Sequence, residues 1–253
     1  MCNSGAFLKI SVIVPTYQEE KLLDDTLSVF SREWRSAVDA ELIVSDGGST
    51  DRTLAIAEQH ADIVVRHDDS QRRQTIAEGR NQGAKAASGS VLVFINGDTV
   101  PRDLQMFAEC LSAFAHRTGR YARASALACP VGFHPKDQRI ADRLFHLVYN
   151  TYVRFLSWLR IGAGRGECQV VRREMFERVG GYRQELVAGE DFDLFARIGL
   201  RGRVLFAHEL HVIESPRRFR KFGYLRVLFS WTINALSVMF TGRSSSDEWE
   251  PVR

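Results

Sequence analysis

Residues 90–101 read SVLVFINGDTVP, and this stretch decides the fold. Val91 to Ile95 are apolar without a break. Such a run suits a strand covered on both faces, as in a parallel α/β sheet. It stops abruptly at Asn96, Gly97, Asp98 and Thr99, with Pro101 closing the turn. In open α/β sheets, ligands sit outside the carboxyl ends of the strands. Asp98, beside a glycine that admits close approach, is placed there for a metal ion or a ribose. The competing reading is that Asp98 only caps the helix beginning near Asp103.

Working outward, three earlier strands are expected. Ile10–Val14 runs into PTYQEE (15–20), Glu41–Ser45 runs into DGGSTD (46–51), and Asp62–Arg66 is shorter. Thr16 could cap the next helix, with Glu19 and Glu20 in its first turn. Gly47 and Gly48 let the backbone bend sharply at the second turn, and its pattern is neither a P-loop nor GxGxxG. A helix is expected over about 72–87, which would put Arg73 and Arg80 on one face. The order β-α-β-α-β-α-β is that of a doubly wound parallel sheet flanked by helices. Asp46 and Asp98 then share one sheet edge.

Beyond the key strand come a helix over 103–116, an extended run over 121–133 and a long helix over 138–160 with an aromatic face. The loop IGAGRGE (161–167) holds three glycines and leads into a short strand and a short helix. In VAGEDFDLFARIG (187–199), Glu190, Asp191 and Asp193 open a helix whose Phe192, Phe195, Ala196 and Ile198 should face the core. Three acids suit a helix N-terminus on dipole grounds alone. Val204–Ala207 is the last expected strand, with His208 and His211 after it.

Composition narrows the function classes. The chain has 253 residues, 45% of them hydrophobic, enough for one large domain. A net charge of +3 gives no global reason to expect a nucleic-acid partner. Residues 201–226 are nevertheless basic, with seven Lys/Arg against two Glu. Cys2, Cys110, Cys129 and Cys168 form no CxxC pair, so neither a zinc site nor a disulfide framework is signalled. The opening MCNSGAFLKI lacks the pattern of a signal peptide, and a cytoplasmic location is expected. From Val227 to Phe240 the chain is largely apolar, yet shorter than the ~20 residues of a spanning helix. A docked or interfacial helix, peripheral to the inner face of a membrane, is the alternative.

Four segments in this order resemble glycosyltransferase family 2: ISVIVPTYQEE, ELIVSDGGSTDRT, GRNQGAKAASGSVLVFINGDT and VAGEDFDLFARIG, spanning Ile10 to about Gly199. The resemblance implies an inverting enzyme with the type A nucleotide-binding fold, using a nucleoside-diphosphate sugar and Mg²⁺ or Mn²⁺. It implies that Pro15, Thr16, Tyr17 and Glu19 hold the nucleotide, that Asp46 meets the base, and that Arg80 lies near the nucleotide. Asp98 matches the metal-binding acid of DxD, Asp191 the catalytic base of ED, and His211, loosely, a late metal or phosphate contact. Glu190 would hydrogen-bond the acceptor or brace the loop. Asn96 departs from the pattern by replacing the first acid of DxD; with Gly97 it is placed on the ribose. The QxxRW motif of processive members is absent, and Ser215-Pro216-Arg217-Arg218-Phe219 is a remote echo.

This divides the chain into a catalytic domain at 8–214 (nucleotide half 8–118, acceptor half 119–214), a helical appendage at 215–241 and a poorly ordered tail at 242–253. The acceptor is left open between a lipid-linked one and a cell-surface glycan precursor, and a homo-oligomer is left open too. The rival readings are a non-catalytic nucleotide-sugar-binding protein and a sugar-phosphate nucleotidyltransferase.

Overall fold

The computed structural model describes residues 9–67, 72–246 and 252. Residues 1–8 and most of 247–253, which bear on the signal-peptide and tail readings, lie outside that range. In chain order the elements are β1 (Ile10–Thr16), α1 (Leu23–Ser28), α2 (Arg32–Ala37), β2 (Ala40–Asp46), α3 (Thr53–His60), β3 (Ile63–Arg66) and α4 (Ile76–Ala86). β4 (Val91–Ile95), β5 (Thr99–Pro101), α5 (Leu104–Ala115), β6 (Ala124–Ala128), β7 (Val131–Phe133) and α6 (Ile140–Trp158) follow. The chain continues with β8 (Cys168–Arg172), α7 (Arg173–Arg178), α8 (Glu190–Gly199), β9 (Arg203–Phe206), β10 (Val212–Glu214), α9 (Arg217–Phe222) and α10 (Tyr224–Thr241).

The main sheet has seven strands in the order β3-β2-β1-β4-β8-β6-β9. All pairings are parallel except those of β8, which runs antiparallel to both β4 and β6. β4 is buried at every position. Strand alternation sends its side chains to two cores. Val91, Val93 and Ile95 join Val12, Leu27, Phe30 and Phe107 on one side. Leu92 and Phe94 join Ile13, Ile43, Tyr182 and Phe195 on the other. That is why the run has no polar break. A mostly parallel sheet with helices on both faces and a helical C-terminal region is thus present.

Several local expectations need correction. Residues 121–133 are not one strand: Pro130 cannot donate to a ladder, and the chain breaks there into β6 and β7, which enter different sheets. β7 joins β5 and β10 in a small second sheet. So Val204–Ala207 is not the last strand, and β10 follows it. Helix α4 starts at Ile76, because Thr75 and Glu78 form a reciprocal capping box. Arg73 therefore lies outside the helix, with its guanidinium 4.5 Å from the centre of the Tyr17 ring. Thr16 is no cap: it ends β1 and donates to Asp46 Oδ1 at 3.0 Å. Glu19 and Glu20 precede α1 rather than entering it. Ala196 of α8 is exposed, while Phe195 and Ile198 are buried.

The start of the tail is tethered. Ser244 Oγ accepts from the amides of Val187 and Ala188, each at 3.1 Å. Asn234 Oδ1 accepts from the amides of Ser245 and Ser246 at 3.1 and 3.2 Å.

Candidate active site

The carboxyl ends of β1 and β4, the glycine loop before β8, the start of α8 and the helices α9 and α10 enclose one cavity. Its walls include Pro15, Thr16, Tyr17, Glu19, Arg80, Asn96, Gly97, Asp98, Glu190 and Asp191. All but two of the residues singled out in the sequence thus converge. The two exceptions are Asp46 and His211.

Asp46 is buried under its own turn. Its Oδ2 accepts from the amides of Gly48 and Ser49 at 3.1 and 2.8 Å, and its Oδ1 accepts from Ser49 Oγ at 2.6 Å and from Thr16. With both oxygens engaged, Asp46 builds the turn, and its neighbour Gly47 faces the cavity. His211 lies apart from the cavity. Its Nδ1 stands 3.4 Å from the Arg102 guanidinium and its ring packs on Gly132. Burial, then the Arg102 charge, pull it down to about 4. It is in no position to join Asp98 on a metal.

Asp98 is released from capping duty because Asp103 caps α5, accepting from the Met106 amide at 2.9 Å. Asp98 Oδ2 instead lies 3.2 Å from Arg217 Nη2. The same Arg217 nitrogen donates to both oxygens of Glu19 at 2.8 Å. Among the described residues no group of three His, Cys, Asp or Glu side chains forms a metal cage. A single carboxylate fits a cation that takes its other ligands from a diphosphate and water, the usual manner of Mg²⁺ at phosphate sites.

Arg80 is 1% exposed, so it is not a solvated helix face. Its Nη1 donates to Glu190 Oε1 at 2.8 Å. Its Nη2 donates to Asn96 Oδ1 at 3.1 Å and to the Gly166 carbonyl at 2.7 Å. One guanidinium thereby ties together the end of β4, the glycine loop and the start of α8. Asn96 spends its side-chain oxygen on this bond, and its amide donates to the Glu167 carbonyl at 3.1 Å.

Asp191 sits over Gly166. A Cβ on residue 166 would come within 2.8 Å of Asp191 Oδ2, so the glycine loop is what lets this carboxylate enter the cavity. Its Oδ1 accepts from the Phe192 amide at 2.9 Å, which fixes its direction. Burial, reinforced by the Glu190 charge, pushes Asp191 up to about 7. Glu190 is also pushed upward by burial, with Arg80 opposing. Gly189, at φ +83°, starts this helix and packs against Asn234 and Val238 of α10.

Several wall residues carry little local signal in the sequence. Arg165 is buried, donating to Glu167 and Glu214 at 2.8 Å and lying 3.1 Å from His146 Nδ1. The three glycines around it were the one available signal. Gln74 is 5% exposed and lines the cavity, yet among the described residues its Nε2 has no hydrogen-bond partner. Nothing in the pattern QRRQT singles it out. Trp231 and Asn234 arrive from α10, far along the chain.

Comparison with known proteins agrees with this fold. The chain is 32% identical over 135 residues to a validoxylamine A glucosyltransferase of Streptomyces hygroscopicus subsp. limoneus, a match covering 51% of this chain and 28% of that protein. The chain thus spans under a third of that relative's length. It is 26% identical over 219 residues to glycosyltransferase AglE of Haloferax volcanii, covering 83% of this chain and 68% of AglE. Among solved structures, the mannosyltransferase PcManGT of Pyrobaculum calidifontis, in complex with GDP-Man and Mn²⁺, superposes with a TM-score of 0.62 at 23% identity, over 81% of this chain and 56% of that one. Glucosyl-3-phosphoglycerate synthase of Mycobacterium tuberculosis, with Mn²⁺, UDP and phosphoglyceric acid, gives 0.62 at 19% identity, over 93% of this chain and 78% of that one. At these identities the structures speak for the fold. The sequence profile of glycosyl transferase family 2 matches residues 11–180, and the chain belongs to that family.

Proposed function

We propose that this protein moves a sugar from a nucleoside-diphosphate sugar to an acceptor hydroxyl with inversion at C1, Asp191 serving as base. The observation that carries this reading is one carboxylate, Asp191, raised to about 7 in the cavity that also holds Asp98. A base poised near neutrality suits proton transfer at neutral pH.

In this reading Asp191 takes the acceptor hydroxyl proton as its oxygen attacks C1. The bond from C1 to the diphosphate oxygen breaks, and no covalent sugar–enzyme intermediate is needed. Glu190 neutralises buried Arg80 and so keeps Asn96, Gly166 and Asp191 in fixed relation. Tyr17, with Arg73 over its ring, and the unpartnered amide of Gln74 offer a face and a donor for the base. Glu19 holds Arg217 beside the place of the diphosphate. Asp98 would hold Mg²⁺ or Mn²⁺, which supplies charge neutralisation to the leaving diphosphate. The metal-containing structural neighbours named above support that choice. We place the acceptor on a lipid, with residues 217–240 against the membrane face. Among the described residues no helix is long and apolar enough to cross a membrane.

The test is release of nucleoside diphosphate from a panel of nucleotide sugars with Mn²⁺, comparing the parent with Asp191→Asn. Slow release by the parent, lost in the variant while nucleotide binding persists, is the expected result. Pyrophosphate-dependent turnover would point to a nucleotidyltransferase instead. Binding with no release by either protein would point to a non-catalytic binding protein.

A further inference from the structure

Two long helices carry large apolar side chains outward. On α6, Leu144, Leu147, Phe155 and Trp158 are exposed, Trp158 at 75%. On α10, Leu225, Phe229, Met239 and Phe240 are exposed, Phe229 at 68% and Phe240 at 79%. The helices meet along an aromatic seam. Phe145 lies 5.5 Å from Tyr224 and Tyr149 lies 5.7 Å from Trp231, between ring centres. The seam joins the two helices that carry these exposed faces. Large apolar side chains exposed together in this way mark an interaction site.

Charge selects the occupant. The only acid on α6 is Asp142, which is buried and paired with Arg220 at 2.6 Å. α9 and α10 contain no acid at all. Exposed Arg143 and Arg154 follow one edge of α6, eleven residues or about three turns apart. Exposed Lys221 and Arg226 stand beside the start of α10. Apolar side chains with a mainly basic fringe among the described residues, where Asp137 is the exposed acid just before α6, match a membrane interface rich in anionic lipid. A second copy of the same surface would instead meet basic fringe with basic fringe.

We infer that the outer faces of α6 and α10 together form a docking surface for an anionic lipid bilayer. Trp158, Phe155, Phe229 and Phe240 enter the interface, and the arginines stay at headgroup level. The inner faces of the same helices wall the cavity through Tyr149 and Trp231. Docking therefore holds the cavity about one helix diameter, roughly 10 Å, from the bilayer. In what it says of a lipid-borne acceptor this rests on the proposed transferase function, and it adds α6 as an equal partner in the contact.

The experiment is flotation with phosphatidylcholine vesicles, with and without an anionic admixture of phosphatidylglycerol, at low and high salt. The full chain is compared with Phe155→Glu/Trp158→Glu and with Phe229→Glu/Phe240→Glu. All substitutions are at exposed positions, and circular dichroism and nucleoside-diphosphate affinity report on folding and on the active site. The expected result is salt-sensitive binding to anionic vesicles only, weakened at least about tenfold in each double variant with nucleotide affinity unchanged. Unaltered flotation of the α6 variant would overturn the two-helix surface. Equal binding to neutral vesicles would overturn its charge selection. Absence of flotation, with a dimer in sedimentation that either variant dissociates, would assign the surface to a second copy. Donor affinity and nucleotide release, measured in the same samples without vesicles, fail only if the transferase reading fails.

Discussion

Arg217 and Asp98 form an ion pair across the cavity, 3.2 Å from Nη2 to Oδ2, although 118 residues of chain separate them. The same nitrogen holds Glu19 at 2.8 Å. In the proposed function a cation arriving at Asp98 would meet a positive charge already there, and Arg217 would turn toward the diphosphate. Arg217→Gln is expected to weaken nucleoside-diphosphate affinity about tenfold, the scale of one charge-assisted hydrogen bond. Calorimetry with Mn²⁺ present measures it. Tighter binding would mean that Arg217 only competes with the metal.

Asp98→Ala is expected to abolish the metal dependence of nucleoside-diphosphate binding. Titrations with and without Mn²⁺ give the result. Equal affinity in the parent under both conditions would remove Asp98 from the metal site.

The Glu190 and Asp191 neighbours should separate cleanly. Asp191→Asn is expected to lose ~10²–10⁴-fold in turnover while donor affinity holds. Glu190→Gln leaves Arg80 buried without its counter-charge, a loss on the order of 3–5 kcal/mol for a broken buried pair, so its defect appears first in thermal stability. If Asp191→Asn keeps near-full turnover while Glu190→Gln loses it, the roles are reversed.

A pH dependence follows from the raised Asp191. The base acts ionised, so turnover should climb as pH rises toward about 7 and then level off. Stability moves the other way. The folded state favours the neutral acid, so this residue's contribution is full below the ordinary Asp range and is lost as pH rises through about 7. Asp191→Asn should therefore be more stable than the parent at pH 8 and similar at pH 4. Melting curves at the two values check the sign.

Gln74→Leu is expected to weaken nucleotide binding about tenfold with little change in melting temperature. Removing a buried donor that has no partner among the described residues costs the free protein little. A variant with unchanged affinity would place the nucleotide base elsewhere.

An unbroken apolar run made β4 legible, and shorter runs (Val12–Val14, Leu42–Val44) made β1 and β2 legible, because a strand covered on both faces is mostly apolar. The turns at their ends were legible for the same reason, since polar residues can return only where the sheet stops. The three-residue strands β5 and β10 were not, having no length over which a period can show. Arg80 was legible through its place in the family pattern, but its bond to Glu190 spans 110 residues and no local pattern encodes it. Asp46 shows the reverse problem. An acid at a strand end reads alike whether it faces a ligand or its own turn, and here it accepts four hydrogen bonds from the turn and Thr16. Asp46→Ala is accordingly expected to cost about 1–3 kcal/mol of stability through the orphaned donors.

β8 runs antiparallel between β4 and β6, pairing Phe94 with Gln169 and Ile95 with Cys168. It reaches the middle of the sheet from residue 168, long after the first half of the chain has been made. Until then β4 has a bare, wholly apolar edge, the kind of edge that recruits other chains. A fragment ending near residue 118 would keep Asp98 but lose the strand that pairs with β4, and should aggregate when expressed alone. During synthesis the nascent sheet stays open until the glycine loop and β8 emerge. That makes the glycine loop a feature of folding order as well as of chemistry, since the segment that admits Asp191 also delivers the closing strand.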